Sequence, residues 1–351
     1  METTALKILY VGPLRFGSTT LQRLQALQDL GHQFVLCDYH SDNVARWDYF
    51  LPYRIWRKLF GPIDFAHVNK QIIQFCRTSK FDILWLDKGN TISPTTLTSI
   101  KRLQTECIVA GYSPDDMTGN RNNRSPRFLR CLPYYDIYFT TKTYCVKELE
   151  NLGCPHVKFI GNAYDEHTHK PVPISDDDRR RLGGPVGFIG QWEPERAKSL
   201  AFLAKSGIDV RVWGYTWERC KPRPEKLRLE NKPVWGDDYA CTICSFDINL
   251  CFLRKANRDL QTTRSIEIPA CGAFMLAERT DEHLALFEEG KEAEFFSSNE
   301  ELLDKVKYYL AHEGERKRIA AAGRERCIKS GYSNYERLKK MMEEIGKLRV
   351  S

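Results

Sequence analysis

The segment richest in reactive side chains reads Arg258-Asp-Leu-Gln-Thr-Thr-Arg-Ser-Ile-Glu-Ile-Pro-Ala-Cys-Gly-Ala-Phe-Met-Leu-Ala-Glu278. Its order predicts loop, helix, glycine turn and strand. Thr262 or Thr263 can cap the helix, which places Arg264 and Ser265 in the first turn. Free backbone N–H groups and the helix dipole favour an anion there. An arginine adds a planar fork suited to phosphate oxygens. Glu267 follows about one turn later, where its carboxylate could take both hydroxyls of a ribose. Pro269 is awkward inside a helix because it has no N–H to donate.

A second group of acids, Asp115-Asp116, follows a predicted strand at Cys107–Ala110, in a loop with Gly119, Asn120 and Asn122. An aspartate in such a loop could accept a proton from an attacking hydroxyl. Asp115 is the better candidate; Asp116 reads more as a metal-type partner. The same residues could instead cap an Asx-type turn. Asp176-Asp-Asp178 also has D-x-D spacing but sits beside three arginines and reads as solvated surface. His156, His167 and His169 lack the cysteine or carboxylate company that a metal site needs. The Gly12–Gly17 loop is not G-x-G-x-x-G, so its dinucleotide signal is weak. His40 and Lys88-Gly89-Asn90 also follow strands.

The elements that must position these groups alternate. Lys7–Val11, Gln33–Cys37, Phe81–Leu86, Cys107–Ala110, Asp136–Thr140 and Val157–Ile160 read as strands with helices at 19–30, 68–78, 94–104 and 144–152 between them. Such β-α-β units build parallel sheets. Residues 166–184, with their prolines, charge runs and Gly183-Gly184, read as a linker. Alternation restarts with strands at Val186–Ile189, Val210–Trp213, Ile248–Leu253 and Ala273–Ala277. The expected organisation is α/β: a Rossmann-like domain over 1–165, a second over 185–333, and a helix over 334–351 able to reach back to the first. Two such domains leave a cleft, and ligands sit outside the carboxyl ends of the strands.

Bulk properties narrow the function classes. A chain of 351 residues with 42% hydrophobic residues can fill two cores. A net charge of +7 spread among acids, without a Lys/Arg block, argues against nucleic acid and allows at most peripheral association with an anionic membrane. There is no apolar run long enough to span a bilayer and no signal peptide, so a cytoplasmic protein with twelve mostly buried thiols is expected. The lone C-x-x-C, Cys241–Cys244, has no second pair at zinc spacing.

The segment Arg264-Ser-Ile-Glu-Ile-Pro-Ala-Cys-Gly-Ala-Phe-Met-Leu-Ala-Glu278 resembles the donor-site signature of the group 1 glycosyltransferases, in the branch that includes the CgeB spore-maturation proteins. Matching context runs from about Val186 to Ser333 and includes Gly187-Phe-Ile-Gly190, Val212-Trp-Gly214 and Gly331-Tyr-Ser. Tyr112-Ser-Pro-Asp-Asp116 and Tyr135–Thr141 resemble the acceptor domain. The resemblance implies a GT-B architecture and transfer of a sugar from a nucleoside-diphosphate sugar, a UDP-sugar first among them, to an acceptor hydroxyl, with no obligatory metal or other cofactor. It implies Glu267 on the donor ribose, Gly190 where the phosphates approach the backbone, and Arg196, Lys255, Arg264 and Ser265 around those phosphates. Trp213 and the Trp235-Gly236 loop fall at its nucleotide-contacting positions, and Asp115 and Asp116 are its candidate catalytic acids. Where retaining relatives carry a glutamate eight positions before Glu267, this chain has the shorter Asp259. A nucleotide-sugar epimerase of the same fold and a non-catalytic nucleotide-sugar-binding assembly protein are the competing readings.

Overall fold

The computed structural model describes residues 5–39, 50–119, 123–221 and 223–350; His40, Asn120 and Asn122 lie outside these. The chain divides into two compact units. The first takes Met1–Gly161, Ala256–Arg258 and Asn334–Ser351; the second takes Asn162–Lys255 and Asp259–Ser333.

The first unit is built on strands β1 (Lys7–Gly12), β2 (Gln33–Asp38), β3 (Ile83–Asp87), β4 (Ile108–Ser113), β5 (Ile137–Thr140) and β6 (Val157–Phe159). All pair in parallel, in the order β2-β1-β3-β4-β5-β6. Ile8, Leu9, Tyr10 and Val11 of β1 are buried on both faces. That is why the run is continuously apolar rather than alternating. The helix Asn334–Val350 packs on the helix Thr19–Asp29 and feeds Leu338, Met341 and Ile345 into the core beside Ile8, Tyr10, Leu24 and Leu27. The 338, 341, 345 spacing keeps these three on one helical face.

Under that core lies a buried ion pair at the carboxyl end of β3. Arg23 grips Asp87 with two bonds, Nε to Oδ2 at 2.8 Å and Nη2 to Oδ1 at 2.9 Å. The Tyr10 hydroxyl donates to the same carboxylate at 3.1 Å, and the Arg23 guanidinium lies 4.4 Å from the Tyr112 ring centroid.

The second unit carries β7 (Gly184–Ile189), β8 (Val210–Trp213), β9 (Leu227–Leu229), β10 (Phe246–Cys251), β11 (Met275–Glu278) and β12 (Glu294–Phe296), again all parallel. Their order, β12-β11-β10-β7-β8-β9, is the 3-2-1-4-5-6 arrangement of a Rossmann sheet. Chain direction across the sheet reverses between β7 and β10, so the carboxyl ends of those two strands form the natural ligand crevice.

The stretch read as a linker is partly helical and belongs to the second unit. The helix Asp176–Leu182 has a capping box: Ser175 Oγ accepts the Asp178 N–H, and the Asp178 carboxylate accepts the Ser175 N–H. Three aspartates at its start and three arginines at its end complement the dipole. What looked like a linker charge run is a well-capped helix. The sequence reading also lacked the helices Leu51–Phe60 and Asp237–Cys244 and the three-residue strands β9 and β12. None of the helices among the described residues is long and apolar enough to cross a membrane.

Candidate functional site

The crevice of the second unit begins at Gly190, just past β7. The Gly190 N–H donates to Trp213 O at 2.8 Å, and the Trp217 indole donates to Gly190 O at 2.8 Å. Gly214, with φ +148°, lies so close that a Cβ there would stand 2.0 Å from Gly190 O. Two glycines are therefore required where the ends of β7 and β8 meet.

Pro194 at the start of the helix Pro194–Lys205 suits a first helical turn. Arg196 in that turn is 4% exposed. Its Nη1 donates to Gln191 O at 3.0 Å, folding the guanidinium back onto the loop after β7. Its Nε has no hydrogen-bond partner among the described residues, and Glu193 approaches it only to 3.9 Å.

Arg264 opens the helix Arg264–Ala270, beyond the end of β10; Cys251 Sγ of that strand lies 3.7 Å from Ser265 Oγ. The Arg264 Nε is also buried and has no hydrogen-bond partner among the described residues. Burial, then the charge of Arg264, pulls the Arg196 guanidinium down to about 10. Burial would lower Arg264 as well, but Tyr239 and the Glu267 carboxylate outweigh it and hold it raised. Two guanidiniums thus repel each other at one crevice, each with a donor unspent. A buried donor left without an acceptor is costly, and a ligand with several anionic oxygens would satisfy both.

Glu267 sits three residues on from Arg264 and is buried. Its Oε2 accepts the Tyr239 hydroxyl at 2.5 Å. His169 Nδ1 accepts the Asp165 N–H at 2.8 Å, so in the neutral ring the proton is on Nε2, which faces Glu267 Oε1 at 3.9 Å. Tyr239 and His169 were not singled out for this role by sequence. Tyr239 lies on an unrecognised helix, and His169 lay in the stretch read as linker. Tyr239, Arg264, Ile189 and Asn249 also line a cavity of about 10 Å³, room for about one water.

The structure departs from three expectations of the sequence. Neither Thr262 nor Thr263 caps the helix through its side chain; Thr263 has helical backbone angles, and Ser265 Oγ accepts the Thr262 N–H at 3.0 Å. Ser265 is wholly buried, and its hydroxyl is spent. His283 Nδ1 must donate to the Glu278 carbonyl, so Nε2 accepts the Ser265 hydroxyl proton at 2.6 Å. Ser265 shapes the turn rather than facing a ligand. Trp213 is 3% exposed, donates its indole N–H to Leu182 O and carries Arg211 and Lys232 over its ring. It is a core residue.

Trp235, by contrast, is 54% exposed and precedes Gly236, whose φ is +57°. Lys255 is exposed and paired with Glu278 at 3.1 Å. Pro269 is the sixth residue of a seven-residue helix that closes on Gly272 at φ +68°.

In the first unit, Asp115 and Asp116 diverge. Asp115 is part-exposed beyond β4 and pairs with Lys88 Nζ at 2.6 Å. Asp116 is fully buried. Arg258 donates to it through Nε at 2.6 Å and Nη2 at 3.0 Å, and the N–H groups of Thr118 and Gly119 donate to Oδ1. Glu148 takes the rest of the Arg258 fork, and Arg258 stacks 4.3 Å from the Tyr144 ring centroid. Asp116, Cys145 and Glu148 are near enough to hold a cation, but the guanidinium already occupies both carboxylates. The metal-type reading of Asp116 is therefore replaced by an internal ion pair.

Burial alone would raise the Asp116 carboxyl; the Arg258 bonds and the two backbone donors outweigh it and hold it down at about 2. Such a carboxylate is a poor proton acceptor. Because the folded value lies below the unfolded one of about 3.9, its stabilisation is present above about pH 4 and fades as pH falls toward 2. Urea unfolding at pH 4.5 and 2.5 is expected to show a loss of stability that is smaller in Asp116→Asn. An equal loss in both proteins would show that this pair is not responsible.

Residues 196–343 match the model of a family described as glycosyl transferase-like. No curated protein matches by sequence. Among solved structures, α,α-trehalose 6-phosphate synthase from Burkholderia multivorans superposes with a TM-score of 0.68 at 11% identity, over 99% of this chain and 97% of that one. Sucrose-phosphate synthase from Thermosynechococcus elongatus gives 0.64 at 10% identity, over 99% and 100%. HepE of Anabaena, solved with UDP and glucose, gives 0.62 at 10% identity, over 97% and 100%. The fold is that of the GT-B glycosyltransferases.

Proposed function

We propose, on the premise of a glycosyl transferase-like match over residues 196–343, that the protein moves a sugar from a nucleoside-diphosphate sugar to an acceptor hydroxyl. The observation that carries this is the pair Arg196 and Arg264: two guanidiniums turned to the crevice of a Rossmann sheet, mutually repelling, each with an unpartnered Nε. A diphosphate satisfies both. As the bond to the sugar breaks, negative charge grows on that diphosphate, so the same cations stabilise the departing group more than the bound donor.

Glu267, held by Tyr239, is the ligand for the ribose hydroxyls. Trp235 offers an open ring for the base, and Gly190 lets the phosphates approach the backbone. Lys255 adds positive charge at the exposed rim. Asp115 of the first unit is the candidate base if the reaction inverts the anomeric carbon. No metal is required by this scheme, because the two arginines take its electrostatic role. UDP is the favoured nucleotide, since HepE, which shares the fold, is solved with UDP and glucose. Within the family we place the chain in the CgeB-like branch, from the Arg264–Glu278 signature.

A thermal-shift panel of UDP-, GDP-, TDP-, CMP- and ADP-sugars tests the proposal. At a hundredfold excess over its dissociation constant, the right donor stabilises the protein by about 2.7 kcal/mol. Glu267→Ala is expected to lose roughly tenfold in calorimetric affinity for that nucleotide, the value of about one charge-assisted hydrogen bond. No shift with any donor would overturn the proposal, and unchanged affinity in Glu267→Ala would remove Glu267 from the site. Isomerised sugar in NMR spectra of donor incubated alone would replace transfer with epimerisation.

A further inference from the structure

We infer that Cys244 and Cys271 of the second unit form an oxidisable thiol pair, in which Cys244 reacts first and Cys271 resolves it as a disulfide. All twelve cysteines are free; ten are buried, and Cys241 and Cys244 are part-exposed. Cys244 ends the helix Asp237–Cys244, and Cys271 directly follows the helix Arg264–Ala270. The Cys244 thiol donates to the Cys271 carbonyl at 3.4 Å. Its side chain packs on the buried cluster that holds Cys271, Ala240, Ile266 and Ile268. Two thiols 27 positions apart in sequence are thus neighbours across two helices.

Reactivity follows thiolate character and access. Eleven of the twelve thiols are pushed up: ten chiefly by burial, and Cys271 chiefly by its contact with Cys244. Cys244 goes the other way. A hydrogen bond from the Cys271 thiol, with help from the Val172 N–H and the charge of Arg324, outweighs burial and holds it down at about 7. Arg324 is fixed nearby, donating from Nη1 to Ala270 O at 2.7 Å. The accessible sulfur is therefore also the activated one, and a second sulfur waits beside it. Cys241 is a poorer resolver. It lies three residues before Cys244, about 60° around the same helix, and packs on a separate cluster of Leu182, Trp213, Val234 and Phe246.

A peroxide is the matching oxidant, small enough for a part-exposed thiol. The Cys244 thiolate attacks one peroxide oxygen, the O–O bond breaks, and hydroxide leaves with the proton that Cys244 released, as water. Cys244 is then a sulfenic acid. The Cys271 sulfur attacks the Cys244 sulfur; the S–S bond forms, the S–O bond breaks, and the Cys271 proton leaves with the hydroxide as a second water. Two electrons pass from the sulfur pair to the peroxide. The new bond joins the helix carrying Tyr239 to the helix carrying Arg264 and Glu267. The pairing is set by the thiols alone and does not rest on the sugar-transfer reading.

Treatment of the folded chain with hydrogen peroxide, followed by peptide mapping without reduction, tests it. Wild type is expected to show one linkage, Cys244 to Cys271, that dithiothreitol reverses. Cys271→Ala removes the resolving thiol, so peroxide is expected to leave Cys244 as sulfenic acid, with dimedone labelling there roughly tenfold above wild type. Cys244→Ala is expected to keep Cys271 reduced, because that sulfur is buried. The wild-type map needs no substitution, so it decides the case even where a variant folds poorly. The inference is overturned if Cys244 of wild type stays reduced, if it pairs with Cys241 instead, or if Cys271→Ala gathers no dimedone at Cys244.

Discussion

Arg264→Ala weakens binding of the nucleoside diphosphate by roughly a hundredfold, about 3 kcal/mol, as measured by calorimetry. The size follows from what the side chain offers: a guanidinium at the β7–β10 crevice with an unspent Nε donor. The same substitution changes the stability of the ligand-free protein little, because relief of Arg196 is offset by loss of the cation that faces Glu267. Removing Arg264 relieves the repulsion that, together with burial, depresses Arg196. Lost affinity with retained apo stability is a signature that a purely structural arginine cannot give. Arg264→Lys falls between, because a point charge replaces a planar fork. Unchanged affinity in Arg264→Ala, or a large loss of apo stability, would falsify the assignment.

Asp87→Ala is the largest stability effect expected, about 3–5 kcal/mol against the first unit. Asp87 is fully buried and accepts from Nε and Nη2 of Arg23 and from the Tyr10 hydroxyl. Truncation strands a buried guanidinium, which costs more than the pair contributes over an apolar replacement. The companion Arg23→Met/Asp87→Leu therefore regains most of the loss. Urea unfolding monitored by a probe in the first unit reads both. A loss below about 1 kcal/mol for the single variant would mean that water reaches and solvates Arg23.

Legibility from sequence divided along physical lines. Long apolar runs such as Lys7–Val11 and Val210–Trp213 announced their strands because both faces of a parallel sheet are buried. The capping box at Ser175 was present in the letters, yet prolines and charge runs nearby made the region look unstructured. Strands β9 and β12 are three residues each and, unlike the equally short β6, follow no helix that the sequence pattern marks. Arg264 and Glu267 were visible as a motif. The company they keep was not: Tyr239 is 28 residues from Glu267 in sequence, and His169 is farther still. Asp116 shows the reverse error. Its sequence neighbours suggested chemistry, whereas its true partner, Arg258, lies 142 positions away.

The helix Asn334–Val350, with Leu338, Met341 and Ile345 in the core of the first unit, sets the order in which the chain matures during translation. The second unit has all its residues once Ser333 has been synthesised. The first, begun earlier, waits for the segment that follows. Domains are usually finished from the N-terminus onward as the ribosome proceeds; here the first unit cannot be finished before residues 334–350 have been added. Until that helix is in place, Ile8, Tyr10 and Leu27 lack part of their cover, and apolar surface exposed in this way favours aggregation.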